Sequence, residues 1–251
     1  MCVASEINAL IPSNHTKALN FRILMYHSVG GKVIGDRLNI FSISPDLFER
    51  HIEYLASQEE KTVVDLNVTH PNTNSDRITV TFDDGYKDNL YTAAPILEKY
   101  SFPYTVFVST SFVQYGSRAF LSPRDLRKLS ELPNANIGAH SVSHTSLVNC
   151  NNIELDNELV SSKHYIEDII GMPVNMIAYP YGEVNRRVRD AAEKAGYTLG
   201  VCSYMHTNYF DHDQLNLSRT SILGIDSLHV FGQKINGYWD WYRYLQRNPC
   251  S

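Results

Sequence analysis

The chain alternates between two kinds of segment. Short runs dense in β-branched and aromatic residues give way to longer stretches with apolar residues at helical spacing, and the pair recurs about seven times in 251 residues. The runs are FRILMYHSV (21–29), RITVTFDDG (77–85), PYTVFVST (103–110), NIGAHSVSH (136–144), PVNMIAYPYG (173–182), TLGVCS (198–203) and LSRTSIL (217–223). Between them, 45–58 places Phe48, Ile52 and Leu55 on one helix face, with Ser44 as N-cap and Pro45 in the first turn. Helices are also predicted at 88–100, bent or split by Pro95, at 122–132, at 153–170 ending at Gly171, and at 185–195 closed by Gly196. Strands separated by helices of this length form parallel β/α units. Seven such units in one chain suit a barrel better than an open sheet of two halves. No G-x-G-x-x-G follows the first strand, so the chain lacks a dinucleotide fingerprint.

Composition narrows the function. With 43% hydrophobic and 20% charged residues, the chain reads as an ordinary globular protein rather than a disordered or fibrous one. A net charge of -5 argues against nucleic acid as a partner, because such domains usually carry a strong basic patch. The four cysteines, Cys2, Cys150, Cys202 and Cys250, form no C-x-x-C pair and read as thiols in a reducing compartment. No apolar run approaches the ~20 residues of a transmembrane helix. The first twenty residues lack the basic and apolar regions of a signal peptide. This predicts a cytoplasmic protein, or a secreted or periplasmic one whose leader has been removed. The expected organisation is one domain over 1–251, with its core at about 20–223 and both ends packed on it. Oligomeric state is not legible.

In a β/α barrel the chemistry sits at the C-terminal ends of the strands. Four predicted ends carry polar residues: Tyr26-His27-Ser28, Asp83-Asp84-Gly85, His140 with His144, and Tyr179-Pro180-Tyr181-Gly182. Adjacent strand residues point to opposite faces, so Asp83 and Asp84 can share a site only if the strand breaks there, which Gly85 permits. Two carboxylates so close repel unless a cation lies between them. The plainer reading of D-D-G is an Asx turn capping the next helix. His140 and His144 are either satisfied imidazoles or a ligand pair; with one Asp they match the three protein ligands of a catalytic zinc. His27 is either a buried histidine on a carbonyl or a general acid or base. His206, Asp211, His212 and Asp213 read as a solvated loop, and His51, His164 and His229 as surface residues.

These residues resemble carbohydrate esterase family 4, the polysaccharide deacetylases with the nodulation-deacetylase homology domain. TFDDG (81–85) is similar to the first family motif, His140-Ser141-Val142-Ser143-His144 with Leu147 to the second, and YPYG (179–182) to the third. The resemblance implies a distorted (β/α)7-type barrel and a metal-dependent hydrolase that removes N-acetyl groups from an N-acetylated sugar or polysaccharide. It implies Asp83 as general base, Asp84, His140 and His144 as metal ligands, and Tyr181, flanked by Pro180 and Gly182, at the oxyanion. The implied cofactor is a divalent metal, zinc first, with cobalt, nickel or iron as alternatives at a His-His-Asp site.

The chain departs from the pattern in three places. Thr145 replaces a frequent Pro. Ala178 stands where an Arg usually orients the base, and Arg219 is the candidate replacement. The late L-x-H motif has only L-S-R (217–219) near its place. The last two gaps resemble the branch of poly-N-acetylglucosamine deacetylases, where a first-strand histidine serves as acid, which makes His27 the acid candidate. Tyr26, Tyr86, Tyr181 and Trp239 are candidates for stacking on sugar, and Phe82, Phe107 and Tyr197 for the core. Alternatives on the same fold are an O-acetyl esterase, a cyclic-amide hydrolase and a non-catalytic carbohydrate-binding relative.

Overall fold

The computed structural model describes residues 21–33, 35–67, 75–115, 118–209 and 212–246; Cys2, Cys250 and Asp211 lie outside them. β1 (Phe21–Tyr26) leads into a short parallel pair, β2 (Ser28–Val29) and β3 (Ser42–Ile43), and then α1 (Pro45–Ala56). β4 (Lys61–Val63) and β5 (Asp76–Phe82) precede a π-helical turn, Asn89–Ala93, that continues as α2 (Ala94–Lys99). β6 (Tyr104–Val108) is followed by α3 (Thr110–Tyr115) and α4 (Pro123–Ser130), and β7 (Ala135–Ala139) by α5 (Asn152–Ile170). β8 (Met176–Ala178), α6 (Arg186–Lys194), β9 (Leu199–Val201), β10 (Arg219–Ser221) and α7 (Leu228–Ile235) follow, with a 3-10 segment at Asp240–Leu245.

Seven strands pair side by side in the order β10-β1-β5-β6-β7-β8-β9, every ladder parallel, with β4 beside the first half of β5. The remaining gap, between β9 and β10, is narrowed by a Val201–Leu217 bridge in which Leu217 N–H donates to Gly200 O and Cys202 N–H to Leu217 O, both at 2.8 Å. The sheet is therefore a nearly closed barrel with helices outside it, a distorted (β/α) barrel.

Side chains alternate between two apolar sets, as the pleat requires. Leu24 and Tyr26 of β1, Val80 and Phe82 of β5 and Val106 of β6 pack outward against the helices. Ile23, Phe107, Met176, Ala178, Leu199 and Val201 fill the lumen. Burying each large aliphatic or aromatic side chain is worth about 1.5–3 kcal/mol, so both faces of every central strand contribute. The helix signals act where expected. The Ser44 hydroxyl accepts from Leu47 N–H, Ser122 and Asp125 form a capping box, and α5 ends at Gly171 in the left-handed region. Pro95 sits in the first turn of α2, at the seam with the π-turn.

The strands are shorter than their apolar runs suggest. β5 ends at Phe82, β7 at Ala139 and β8 at Ala178, each just before the polar residues predicted to carry the chemistry. Two aromatic expectations are corrected: Tyr26 and Tyr86 are only 1% and 2% exposed, so neither can stack on a sugar. His51 is not on the surface either; it is fully buried between α1 and α7, against Phe231. Phe82, Phe107 and Tyr197 are core, as expected.

Candidate functional site

The strand alternation that places Thr79 and Thr81 in the lumen brings Asp83 to its mouth. Asp84 would then face away. It does not, because the chain turns at once: Asp84 has φ 72° and Gly85 φ 77°. For Asp84 this left-handed conformation is uncommon, and for Gly85 it is sterically free. His140 follows β7 on a lumen-facing position, and the loop after it reverses through Ser141 (φ 64°) to His144 (φ 54°). Among the described residues, Asp84, Ser141, His144 and Tyr181 are four of the six non-glycine residues with positive φ. Such conformations cost of order 1–3 kcal/mol each and cluster at functional sites.

These turns make three atoms converge. Asp84 Oδ1 lies 3.2 Å from His144 Nε2 and 3.5 Å from His140 Nε2. Ligand atoms from all three residues fall within 4.8 Å of one another. Among the described residues, Asp84 Oδ1 is buried and receives no well-directed hydrogen bond, although two imidazole nitrogens face it. His140 Nδ1 is 2.7 Å from the carbonyl of Ala178. That contact requires the proton on Nδ1 and leaves the Nε2 lone pair aimed at Asp84, as in metal-ligating histidines. Burial pushes the His140 imidazole down, toward the neutral form a ligand needs. For His144 burial opposes charge, but the Asp84 carboxylate outweighs it and raises the pKa. Orphan oxygen, fixed tautomer and one acid with two imidazoles together fit a divalent cation of the zinc type.

Asp83 stands beside this triad, its Oδ2 4.0 Å from His140 Nε2. Its carboxylate is gripped by Arg219, whose two terminal nitrogens donate to Oδ1 at 2.6 Å and Oδ2 at 2.7 Å. Arg219 comes from β10, is fully buried, lies over the Phe107 ring and donates through Nε to Cys202 O. Burial alone would raise the Asp83 carboxyl; the guanidinium overrides it and holds the group well below the usual carboxylate range. The guanidinium that meets Asp83 thus comes from β10.

His27 follows β1, half-buried at the same mouth, its ring against Phe41 at 4.8 Å and its Nδ1 buried without a hydrogen bond among the described residues. Both Asp83 and Asp84 feel its charge. Tyr181 is 65% exposed, packs edge-on against His144 and adopts φ 59°. The 3-10 turn Pro180–Gly182 bonds through Gly182 N–H to Tyr179 O and Glu183 N–H to Pro180 O, leaving the Tyr181 N–H outside it. Gly182 is required there, since a Cβ would stand 2.4 Å from Ser203 N.

Glu158, on α5, escaped the sequence reading. Its carboxylate accepts from Val142 N–H (2.8 Å), Ser143 N–H (2.9 Å) and the Ser143 hydroxyl (2.7 Å), and so holds the loop between the two histidines. The detectable signal was an acid on the buried stripe Leu155, Leu159, Ser162 and Ile166. Other candidates lie elsewhere. Trp239 is half-buried and donates to Gln233 at 3.1 Å. His206 is partly buried, with Nε2 2.6 Å from Arg243, so that loop is not simply solvated.

A sequence model of the family described as Polysaccharide deacetylase matches residues 70–200, just over half of the 251-residue chain. YxkH of Bacillus subtilis (strain 168) is 28% identical over 224 residues, covering 87% of this chain and 77% of that protein. The solved structure of Streptococcus pyogenes deacetylase PplD in complex with acetate superposes with a TM-score of 0.76 at 24% identity, over 86% of this chain and 98% of that one. BA0330 of Bacillus anthracis gives a TM-score of 0.76 at 25% identity, over 87% and 69%. The family match spans the Asp83–Asp84 turn, the two histidines and the Tyr181 turn, the segments that build the mouth of the barrel. On these grounds the chain belongs to the polysaccharide deacetylase family.

Proposed function

We propose that the protein is a metal-dependent hydrolase that removes N-acetyl groups from an N-acetylated saccharide, giving a free amine and acetate. The observation that carries this reading is the orphan Asp84 oxygen facing two imidazole nitrogens beside an Arg-paired Asp83. Asp84, His140 and His144 are the residues to hold the ion, with zinc expected. Bound there, a divalent ion supplies Lewis acidity and lowers the pKa of water toward ~7.

The chain's own residues do the rest. Arg219 keeps Asp83 ionised in a buried place and fixes its orientation, so Asp83 can accept the proton of the attacking water. The Tyr181 N–H is not used by the bonds of its turn and is the donor proposed for the oxygen that gains charge in the transition state. His27 hands a proton to the departing amine, which as an amide anion would leave poorly. Tyr181, exposed at the mouth, is the one aromatic of the stacking candidates positioned to lie on a sugar face.

The test is acetate release from N-acetylated oligosaccharides, read beside an acetyl-ester substrate. Asp83→Asn should keep its metal and lose turnover by at least the ~10²–10⁴ typical of acid–base groups. Retained activity in that variant removes Asp83 as base. His140→Ala should lose metal by elemental analysis, and unchanged metal content refutes the triad. Release from the ester alone assigns the site to the esterase alternative.

A further inference from the structure

A cavity of about 420 Å³ that the reaction chemistry does not use is lined by segments that follow two of the site residues in the chain. It opens between two loops that both begin at site residues. One is Val29–Lys32, two residues beyond His27; the other is Tyr86–Asp88, two beyond Asp84, with Arg118 and Ala119 closing the side. The loops are stitched together. Asp88 accepts from the Ser28 hydroxyl at 2.6 Å, Val29 N–H at 3.0 Å and Gly31 N–H at 3.2 Å. Lys87 N–H donates to Ala119 O at 2.7 Å, and Leu121 N–H to Gly85 O at 3.0 Å. A run of packed rings connects its lining to the candidate site: Tyr86 contacts Phe120 (4.8 Å), Phe120 contacts Phe112 (4.5 Å) and Phe112 contacts His144 (5.8 Å).

The charges on its rim are unusual for an acidic protein. Lys32, Lys87 and Arg118 line the cavity, and Lys32 and Arg118 are exposed with no ionic partner among the described residues. Lys87 reaches Asp125 at 3.7 Å and the Tyr91 ring at 5.6 Å, while its side chain stays 45% exposed. The opposing acid is Asp88, whose oxygens are taken up by the loop it holds; burial also pushes its pKa up. Asp125 is likewise engaged, by Ser122 and Tyr91.

We propose that this cavity is a subsite for an anionic group, so that the preferred substrate is an N-acetylated saccharide bearing a carboxylate or phosphate near the unit that is deacetylated. The inference rests on the deacetylase reading for its sugar, but not on turnover for its test. Binding of three probes is measured by calorimetry on the full chain carrying Asp83→Asn: chitotetraose, chitotetraose oxidised at C6 to the carboxylate, and chitotetraose 6-phosphate. At least one anionic probe should bind about ten-fold more tightly than the neutral one, and added salt should erase the advantage. Lys32→Ala and Arg118→Ala should each reduce it about 2–5-fold, as exposed ion pairs do. Together they should abolish it while leaving neutral binding unchanged. Whether carboxylate or phosphate gains more identifies the substituent. Equal or undetectable binding of all three, or a preference that survives the double variant, overturns the subsite. Failure of the unmutated chain to release acetate from any of the three bears on the proposed reaction alone.

Discussion

Two parts of the molecule bury an ion pair beside a histidine. At the barrel mouth, Arg219 pairs with Asp83 next to His140. In the seam between α1 and α7, Lys234 Nζ donates to Asp226 at 2.5 Å and Ser221 O at 2.9 Å, while His51 meets the Tyr26 hydroxyl and stacks on Phe231 with centroids 4.0 Å apart. Both histidines are pushed down by burial. In the seam, one acid meets one cation with no left-handed backbone at either residue, and Leu223 N–H adds a second bond to the Asp226 carboxylate. At the mouth, two acids are adjacent while Arg219 pairs with Asp83, and the turns at Asp84, at Ser141 and His144, and at Tyr181 adopt left-handed backbone. His51 Nε2 also lacks a hydrogen bond, yet among the described residues no cluster of acids and imidazoles converges on it. Burial and a lowered pKa therefore do not mark function here. A surplus of acceptors aimed at one point, held by strained turns, does.

The largest effects should come from breaking each ion pair in turn. Arg219→Met leaves Asp83 buried and unpaired, and Lys234→Met does the same to Asp226. Each should cost about 3–5 kcal/mol in denaturant unfolding. They should part in catalysis: per folded molecule, Arg219→Met should lose acetate release by orders of magnitude, while Lys234→Met keeps it. A folded Lys234→Met protein without activity would collapse the distinction between the two regions.

A second, smaller effect belongs to the seam. The His51 pKa falls from 6.5 to about 4 because burial disfavours its charge, with the Arg50 and Lys234 charges adding to this. The unfolded chain therefore takes up a proton near pH 6.5 that the folded chain refuses until about pH 4. The stability from burying a neutral His51 is complete above pH 6.5 and is lost as pH falls toward 4. The loss is about 3 kcal/mol at ~1.36 kcal/mol per unit. Urea unfolding at several pH values should show this slope, and His51→Leu should flatten it. The same slope in the variant would place the acid sensitivity elsewhere, among the paired carboxylates.

How far the sequence reaches follows the range of each interaction. Ser44, Ser122, Pro95 and Gly171 act on their own or neighbouring turns, so the helices they bound are readable from spacing alone. The D-D-G and H-S-V-S-H segments are equally local, and their placement at strand ends is the direct consequence of β/α alternation. Long-range facts are harder. Arg219 stands out as a charge in an apolar run, but its grip on a residue 136 positions away depends on barrel closure. Tyr26 and Tyr86 sit beside site residues in sequence yet are buried, because pleat and turn send them away from the mouth. His51 looks like a helix-surface residue until α7 covers it. The pair β2–β3 is too short to leave a periodic signal.

Glu158 gives the finest division between a fold residue and a site residue, because it bonds neither imidazole of the candidate site yet fixes the loop that joins them. A carboxylate can accept from both backbone N–H groups and the Ser143 hydroxyl at once. An amide offers one oxygen and turns a donor toward those same donors. Glu158→Gln is nearly isosteric, so α5 should keep its packing and the circular dichroism spectrum should not change. What should change is the precision of His144, whose left-handed backbone has little other support than Ser141 and the start of α3. Loss of such outer support typically weakens metal binding 10–100-fold. Competition against a zinc-binding dye should show that loss, and saturating zinc should restore most of the acetate release. If Glu158→Gln binds zinc as the parent does, the bonds from α3 suffice to hold the loop, and Glu158 belongs with the seam as a residue that stabilises the fold and does nothing more.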